Sequence, residues 1–173
     1  MTVALGVQTA GASVMAGCDS TGRGRLDASG LPVDRPVREA DLVRQPEAHL
    51  YYPGSDRVRN IGADQTPARP GEEPNPAYLG AILAVAATPA QLYQWYGQQL
   101  GPRGFVPTAD YRPSTQVSGE AWQFDRRLQV QVGIFDLQRL EADQGIRVRE
   151  PDGTLVYEVV LVGYAPGLPR SGG

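Results

Sequence analysis

The sequence predicts an α+β fold: one amphipathic helix packed on a mostly antiparallel, curved sheet of about five or six strands, preceded by a disordered tether. Three observations lead there. Residues 78–86 (YLGAILAVA) are apolar at nearly every position, as in a strand buried on both faces. Thr88-Pro89 then supplies a helix N-cap and a proline suited to the first helical position. From Leu128 to Ile134, Leu128, Val130, Val132 and Ile134 alternate with Gln129, Gln131 and Gly133, the pattern of a strand with one buried and one wet face.

Taken in order, Leu50-Tyr51-Tyr52 opens the domain, Pro53-Gly54 signals a turn, and Arg57 to Ile61 reads as a short strand. A proline-rich surface loop from Ala63 to Pro76 separates it from the strand at 78–86. In the helix that follows, Leu92, Trp95, Tyr96 and Leu100 form one apolar stripe, and Gly101-Pro102 ends it. Phe105-Val106 suits a short strand. Ala121 to Phe124 and Leu128 to Asp136 flank the polar Asp125-Arg126-Arg127 as a hairpin. Pro151-Asp152-Gly153 is a turn leading into Leu155 to Tyr164, which is apolar on both faces except at Glu158 and is expected to be central.

The composition narrows the function. A chain of 173 residues with 41% hydrophobic content supports one core of ordinary size. Its net charge of -3 gives no excess of positive charge to draw it onto a phosphate backbone, so nucleic acid is not an expected partner. Glycine (21) and proline (15) together are well above average usage, which points to long irregular stretches around the folded part. Between Asp19 and Gln45 the residues are polar or small, with balanced arginines and acids, and this stretch reads as a solvated spacer.

The first seventeen residues carry no charged side chain and are rich in small and aliphatic types, a length and polarity closer to an export signal than to a spanning helix. They end in Val14-Met15-Ala16-Gly17-Cys18-Asp19-Ser20, around the only cysteine in the chain. This segment resembles a bacterial lipoprotein signal with its lipobox, with Met15 standing where an aliphatic residue such as leucine is usual. The resemblance implies that Cys18 is the lipidation site and the new N-terminus after cleavage. It also implies a location on the extracytoplasmic side of the cell membrane. The helix segment TPAQLYQWYGQQLGPRGF is similar to a pattern in small extracytoplasmic bacterial α+β proteins and uncharacterised lipoproteins, and adds a fold expectation only. The expected organisation is a signal-like segment over 1–17, a tether over 18–48, one α+β domain over 49–166 and a disordered tail over 167–173.

Residues suited to chemistry are sparse. His49 is the only histidine, which excludes histidine-rich metal sites, and no G-x-S-x-G motif accompanies it. The carboxylate pairs Glu72-Glu73 and Glu141/Asp143 are of the kind that glycosidases use as acid and base, but they read as solvated loop acids. No calcium loop or phosphate-binding glycine motif is present, so neither metal nor cofactor is expected. Trp122 and Phe124 beside Arg126 and Arg127 read as core aromatics next to a wet turn, and Tyr93, Trp95 and Tyr96 as helix packing rather than a ligand groove. Two strands apolar on both faces with a single helix leave one sheet face to be covered by loops, a ligand or a partner. The expectation is therefore an anchored binding or interaction module. The alternatives are an envelope hydrolase using Asp136 or Glu158, or a purely structural envelope protein.

Overall fold

The computed structural model describes residues 25–67, 74–108, 116–146, 148 and 154–165. Its centre is one open sheet of six antiparallel strands: β1 (Asp56–Ala63), β2 (Ala77–Val85), β3 (Val106–Thr108), β4 (Gln116–Phe124), β5 (Leu128–Phe135) and β6 (Leu155–Gly163). They lie in the order β1-β2-β6-β5-β4-β3. The expected α+β class and antiparallel sheet are present, and β6 is central, flanked by β2 and β5.

Among the described residues three α-helices accompany the sheet: the single turn α1 (Glu39–Leu42), α2 (Pro89–Leu100) and α3 (Leu137–Gln144). The expected helix is α2. Thr88 Oγ1 accepts from the Gln91 amide at 3.3 Å and the Gln91 side chain reaches back to the Thr88 amide at 2.9 Å, a reciprocal cap that fixes where the helix starts. Leu92, Tyr96 and Leu100 are fully buried against the sheet. α3 starts at Asp136, whose carboxylate accepts from the amides of Gln138 and Arg139, and ends at Gly145 with φ 65°. Glu141 and Asp143 therefore belong to a helix and not to a loop.

The largest departure from expectation is the N-terminal segment. Positions 18–24 of the expected tether, like the signal-like segment and the tail from 167 onward, lie outside the described residues. From Arg25 on, however, the segment is part of the domain: Leu31, Val37 and Leu42 are wholly buried, and Ala48 nearly so. The domain thus begins more than twenty residues before the expected boundary at 49. The scattered apolar residues find a seat because β6 ends in a glycine. A Cβ on Gly163 would stand 2.9 Å from both Val37 Cγ1 and Leu42 Cδ2, so the bare backbone is what admits them.

Polar contacts fasten the same segment. Asp27 accepts from the Ser29 hydroxyl at 2.6 Å and from the amides of Ser29 and Leu31, and it pairs with Arg127. Arg127, expected in a wet turn, is only 12% exposed and also donates to the carbonyls of Pro32 at 2.6 Å and Tyr164 at 3.0 Å. Asp41, 4% exposed, is held bidentately by Arg35 with both bonds at 2.7 Å.

The core has two parts on opposite faces of the sheet. On the α2 face, α2 and the N-terminal segment cover Leu83, Val130, Val132, Tyr157 and Leu161 among others. On the α3 face, Leu140 packs with Ile82, Ala84, Phe135 and Val156.

Burial of the N-terminal segment has measurable effects on stability. Leu42→Ala should cost about 2–5 kcal/mol in urea unfolding, the range for a buried leucine; a cost near zero would mean that the segment is a tether after all. The arginine partner and the Arg38 amide hold the Asp41 carboxyl below its ordinary 3.8 against the opposing effect of burial. Burial alone would raise Asp27, but its bonds from Ser29, Leu31 and Arg127 outweigh it and the net shift is downward from 3.8. On acidification the unfolded chain therefore takes up protons first. The stabilisation from both groups is complete above about pH 5 and is lost as pH falls through 3.8 toward the lower folded-state values. The melting temperature should drop as the pH falls from about 5 to about 3. Asp41→Asn should flatten that drop; an unchanged slope would show that the pair contributes nothing.

Candidate functional site

Register places three rows of residues across the α3 face. One runs Ile61, Gly80, Val160, Gln131 from β1 through β2 and β6 to β5. On one side lies the row Ile82, Glu158, Gly133, and on the other Tyr78, Val162, Gln129. The middle row has no side chain at its β2 position, and Gly80 is required there: a Cβ would stand 2.1 Å from the Val159 carbonyl oxygen. The result is a cleft of about 390 Å³ lined by Ile61, Pro76, Tyr78, Ile82, Gln131, Glu158, Val160, Val162 and Tyr164. A cleft of this size, with apolar walls and a few convergent polar groups, is the usual form of a small-molecule site.

The polar groups are ordered by one another. Gln129 Oε1 accepts from Gln131 Nε2 at 2.9 Å and from the Tyr164 hydroxyl at 3.1 Å. Gln116 donates to Glu158. Gln116 lies directly over Gly133, where any Cβ would collide with it, so the shift in register between Gln116 and Ser118 and the glycine opposite together set its position. No arginine or histidine is among the described lining residues.

A second, more polar concavity of about 340 Å³ lies at the β1 edge and includes Glu39, His49, Tyr51, Arg57 and Asn60. His49 Nε2 is 3.1 Å from the Val43 carbonyl oxygen, and no serine, threonine or cysteine is among the described residues lining the space. Arg57 stacks over the Tyr51 ring at 4.7 Å from its centroid. These groups are engaged with the scaffold rather than presented as a nucleophile and its base.

The residues singled out from sequence fall as follows. Cys18 and Glu72-Glu73 lie outside the described residues. Asp136 caps α3. Glu158 lines the cleft while Asp136 does not, so the two carboxylates suited to hydrolysis do not share a site. Trp122 is core, with Phe124 packed against it; Tyr96 is fully buried, and Tyr93 and Trp95 are partly so. Burial raises the Tyr96 and Tyr157 hydroxyls well above the ordinary phenol value. Both remain neutral, Tyr96 donating to the Leu50 carbonyl at 3.1 Å and Tyr157 meeting Ser55 Oγ at 2.9 Å. Among the described residues no group of three or more His, Cys, Asp and Glu is placed to hold a metal. Gln116, Gln129, Gln131 and Tyr164 do not stand out as a set in the sequence; each looks like an ordinary surface residue until the register is known.

These features define an α+β protein with an open antiparallel sheet and a mixed apolar and amide-lined cleft on one face. Among known proteins no family model, no curated protein and no solved structure matches the chain.

α3 covers the part of this face around Ile82, Ala84, Phe135 and Val156. Leu140→Ala should loosen that cover, costing about 2–5 kcal/mol in urea unfolding and raising the fluorescence of a dye that reports exposed apolar surface. Unchanged stability and dye binding would show that α3 does not seal the second core.

Proposed function

We propose that this chain is a membrane-anchored extracytoplasmic lipoprotein whose folded domain is a binding module, with the cleft on the α3 face as its ligand site. The observation that carries the binding half is the cleft itself: it sits on the central sheet, is of small-molecule size, and has Gln131, Glu158 and Tyr164 beside apolar walls. The anchoring half rests on the run Val14 to Cys18 ahead of the folded region. No helix among the described residues is long and apolar enough to cross a membrane. Attachment through acyl chains supplies membrane affinity, since each buried methylene contributes about 0.8 kcal/mol and two chains hold stably.

The test is the intact mass and detergent partitioning of the natively expressed protein beside Cys18→Ala. The native protein should begin at Cys18, carry an acyl-sized mass and enter the detergent phase, while the variant stays in the aqueous phase. A native protein that is uncut, unmodified and indistinguishable from the variant would remove the anchor from the reading.

A further inference from the structure

We infer that the polar concavity at the β1 edge is a second binding site, and that it takes a short peptide of three or four residues by its two charged ends. It draws its polar groups from the α2 face of β1 and stands independently of the cleft on the α3 face.

The site follows from an irregularity in β1. Arg57 faces Leu83 of β2, Asn60 faces Ala81 and Gly62 faces Leu79. Arg57 and Asn60 are three positions apart and would project from opposite faces of a regular strand. The shift in register between Arg57 and Arg59 takes up one residue and puts Arg57, Asn60 and Gly62 on one face. On that face Leu83 and Ala81 enter the core, and the concavity of about 340 Å³ lies between β1 and the segment from Glu39 to Tyr51. Gly62 leaves room for Glu39: a Cβ there would stand 2.8 Å from the Glu39 carboxyl carbon.

A cation, an amide and a carboxylate thus follow one another along the strand. Arg57 lies over the Tyr51 ring, which is held in turn by a hydrogen bond from its hydroxyl to the Ala48 carbonyl at 3.0 Å. Among the described residues the Arg57 guanidinium, the Asn60 amide and the Glu39 carboxylate form no ion pair and no hydrogen bond. Elsewhere Asp27, Asp41 and Glu47 each pair with an arginine. Here opposite charges line one concavity without meeting. Leu83 and Leu79, which face Arg57 and Gly62, are four residues apart on β2, so Arg57 and the seat of Glu39 are rooted about 13 Å apart. An extended chain covers that distance in about four residues at about 3.3–3.6 Å each, and the reach of the arginine side chain brings three within range.

A peptide with free ends matches the whole array. Its terminal carboxylate accepts two parallel N–H bonds from the Arg57 guanidinium, whose ring contact already fixes its orientation. Its terminal ammonium donates to Glu39. A peptide unit between them meets the Asn60 amide, which both donates and accepts. Other ligands leave part of the array unmatched. An anion faces Glu39 and a cation faces Arg57. A neutral molecule strips water from both charges and replaces neither interaction. A single amino acid carries its two charges within one residue length, about 3.5 Å, and reaches only one of the two groups.

Isothermal titration calorimetry of the full chain tests this with trialanine and tetraalanine, each with free ends, N-acetylated or C-amidated, and with alanine itself. A free-ended peptide should bind. Alanine should bind about tenfold more weakly or worse, and blocking either end of the peptide should weaken it by about tenfold, the loss of a charge-assisted hydrogen bond. Arg57→Gln should bind the free-ended peptide about as weakly as the native chain binds the amidated one, and amidation should cost it nothing further. Glu39→Gln should stand in the same relation to acetylation. Arg57 is exposed and Glu39 half-buried, and circular dichroism shows whether each variant is folded; if Glu39→Gln is not, Arg57→Gln and the acetylated peptide on the native chain decide. The inference is overturned if no peptide binds, if alanine binds as tightly as the peptides, or if amidation costs Arg57→Gln as much as it costs the native chain. A peptide that binds equally to the native chain and both variants sits elsewhere on the molecule, which overturns this site without touching the reading of the cleft.

Discussion

Two neighbouring strands at the centre of this sheet, β2 and β6, are apolar on both faces, and the rest of the fold is arranged around covering them. Such strands cannot form unless apolar material lies above and below. On one side, α2 alone is too short for the task, and the N-terminal segment completes the layer with Leu31, Val37 and Leu42. On the other side, α3 contributes a single fully buried leucine, Leu140, and the cover is partial. What remains open there is the cleft. Its polar members, Gln131 and Glu158, stand where an apolar set would have left a sticky surface.

Arg127 shows how the two ends of the described chain are brought into one structure. It sits at the β4–β5 turn, yet it bonds Asp27 and Pro32 near the first described residues and Tyr164 near the last. Tyr164 in turn donates to Gln129 at the side of the cleft. The turn, the N-terminal segment and the polar edge of the cleft are therefore linked through consecutive hydrogen bonds. A change at any one of them alters the geometry of the others, as networks of this kind do.

The parts of the fold legible in the sequence are those whose pattern is local. The unbroken apolar run of β2, the Thr88-Pro89 cap and stripe of α2, and the alternation along β5 each state their structure within a short stretch of chain. α3 is hard to see because LQRLEADQ carries little apolar surface beyond its two leucines, although Asp136 and Gly145 at its ends are a usable capping signal. The first half of β4, Gln116 to Glu120, is largely polar and gives no strand pattern of its own. The N-terminal segment is illegible for a different reason. Its buried residues follow neither a helical nor a strand period, and their partners, Gly163 and Arg127, are more than eighty positions away, so composition suggests a spacer. Of the cleft, only Glu158 is visible in the sequence, as a polar interruption in an apolar strand. Its meeting with Gln131 and Tyr164 depends on strand order, which a single sequence does not display.

The stitching of the N-terminal segment into the sheet also has a mechanical side. Any pull exerted upstream of Arg25 does not end at a slack leash; it is delivered to the Asp27–Arg127 pair and to the three side chains lodged over Gly163. Those contacts lie beside the β5–β6 pairing, where Leu128 faces Gly163. Loss of that first segment would uncover the backbone at Gly163 and leave Arg127 without its Asp27 partner.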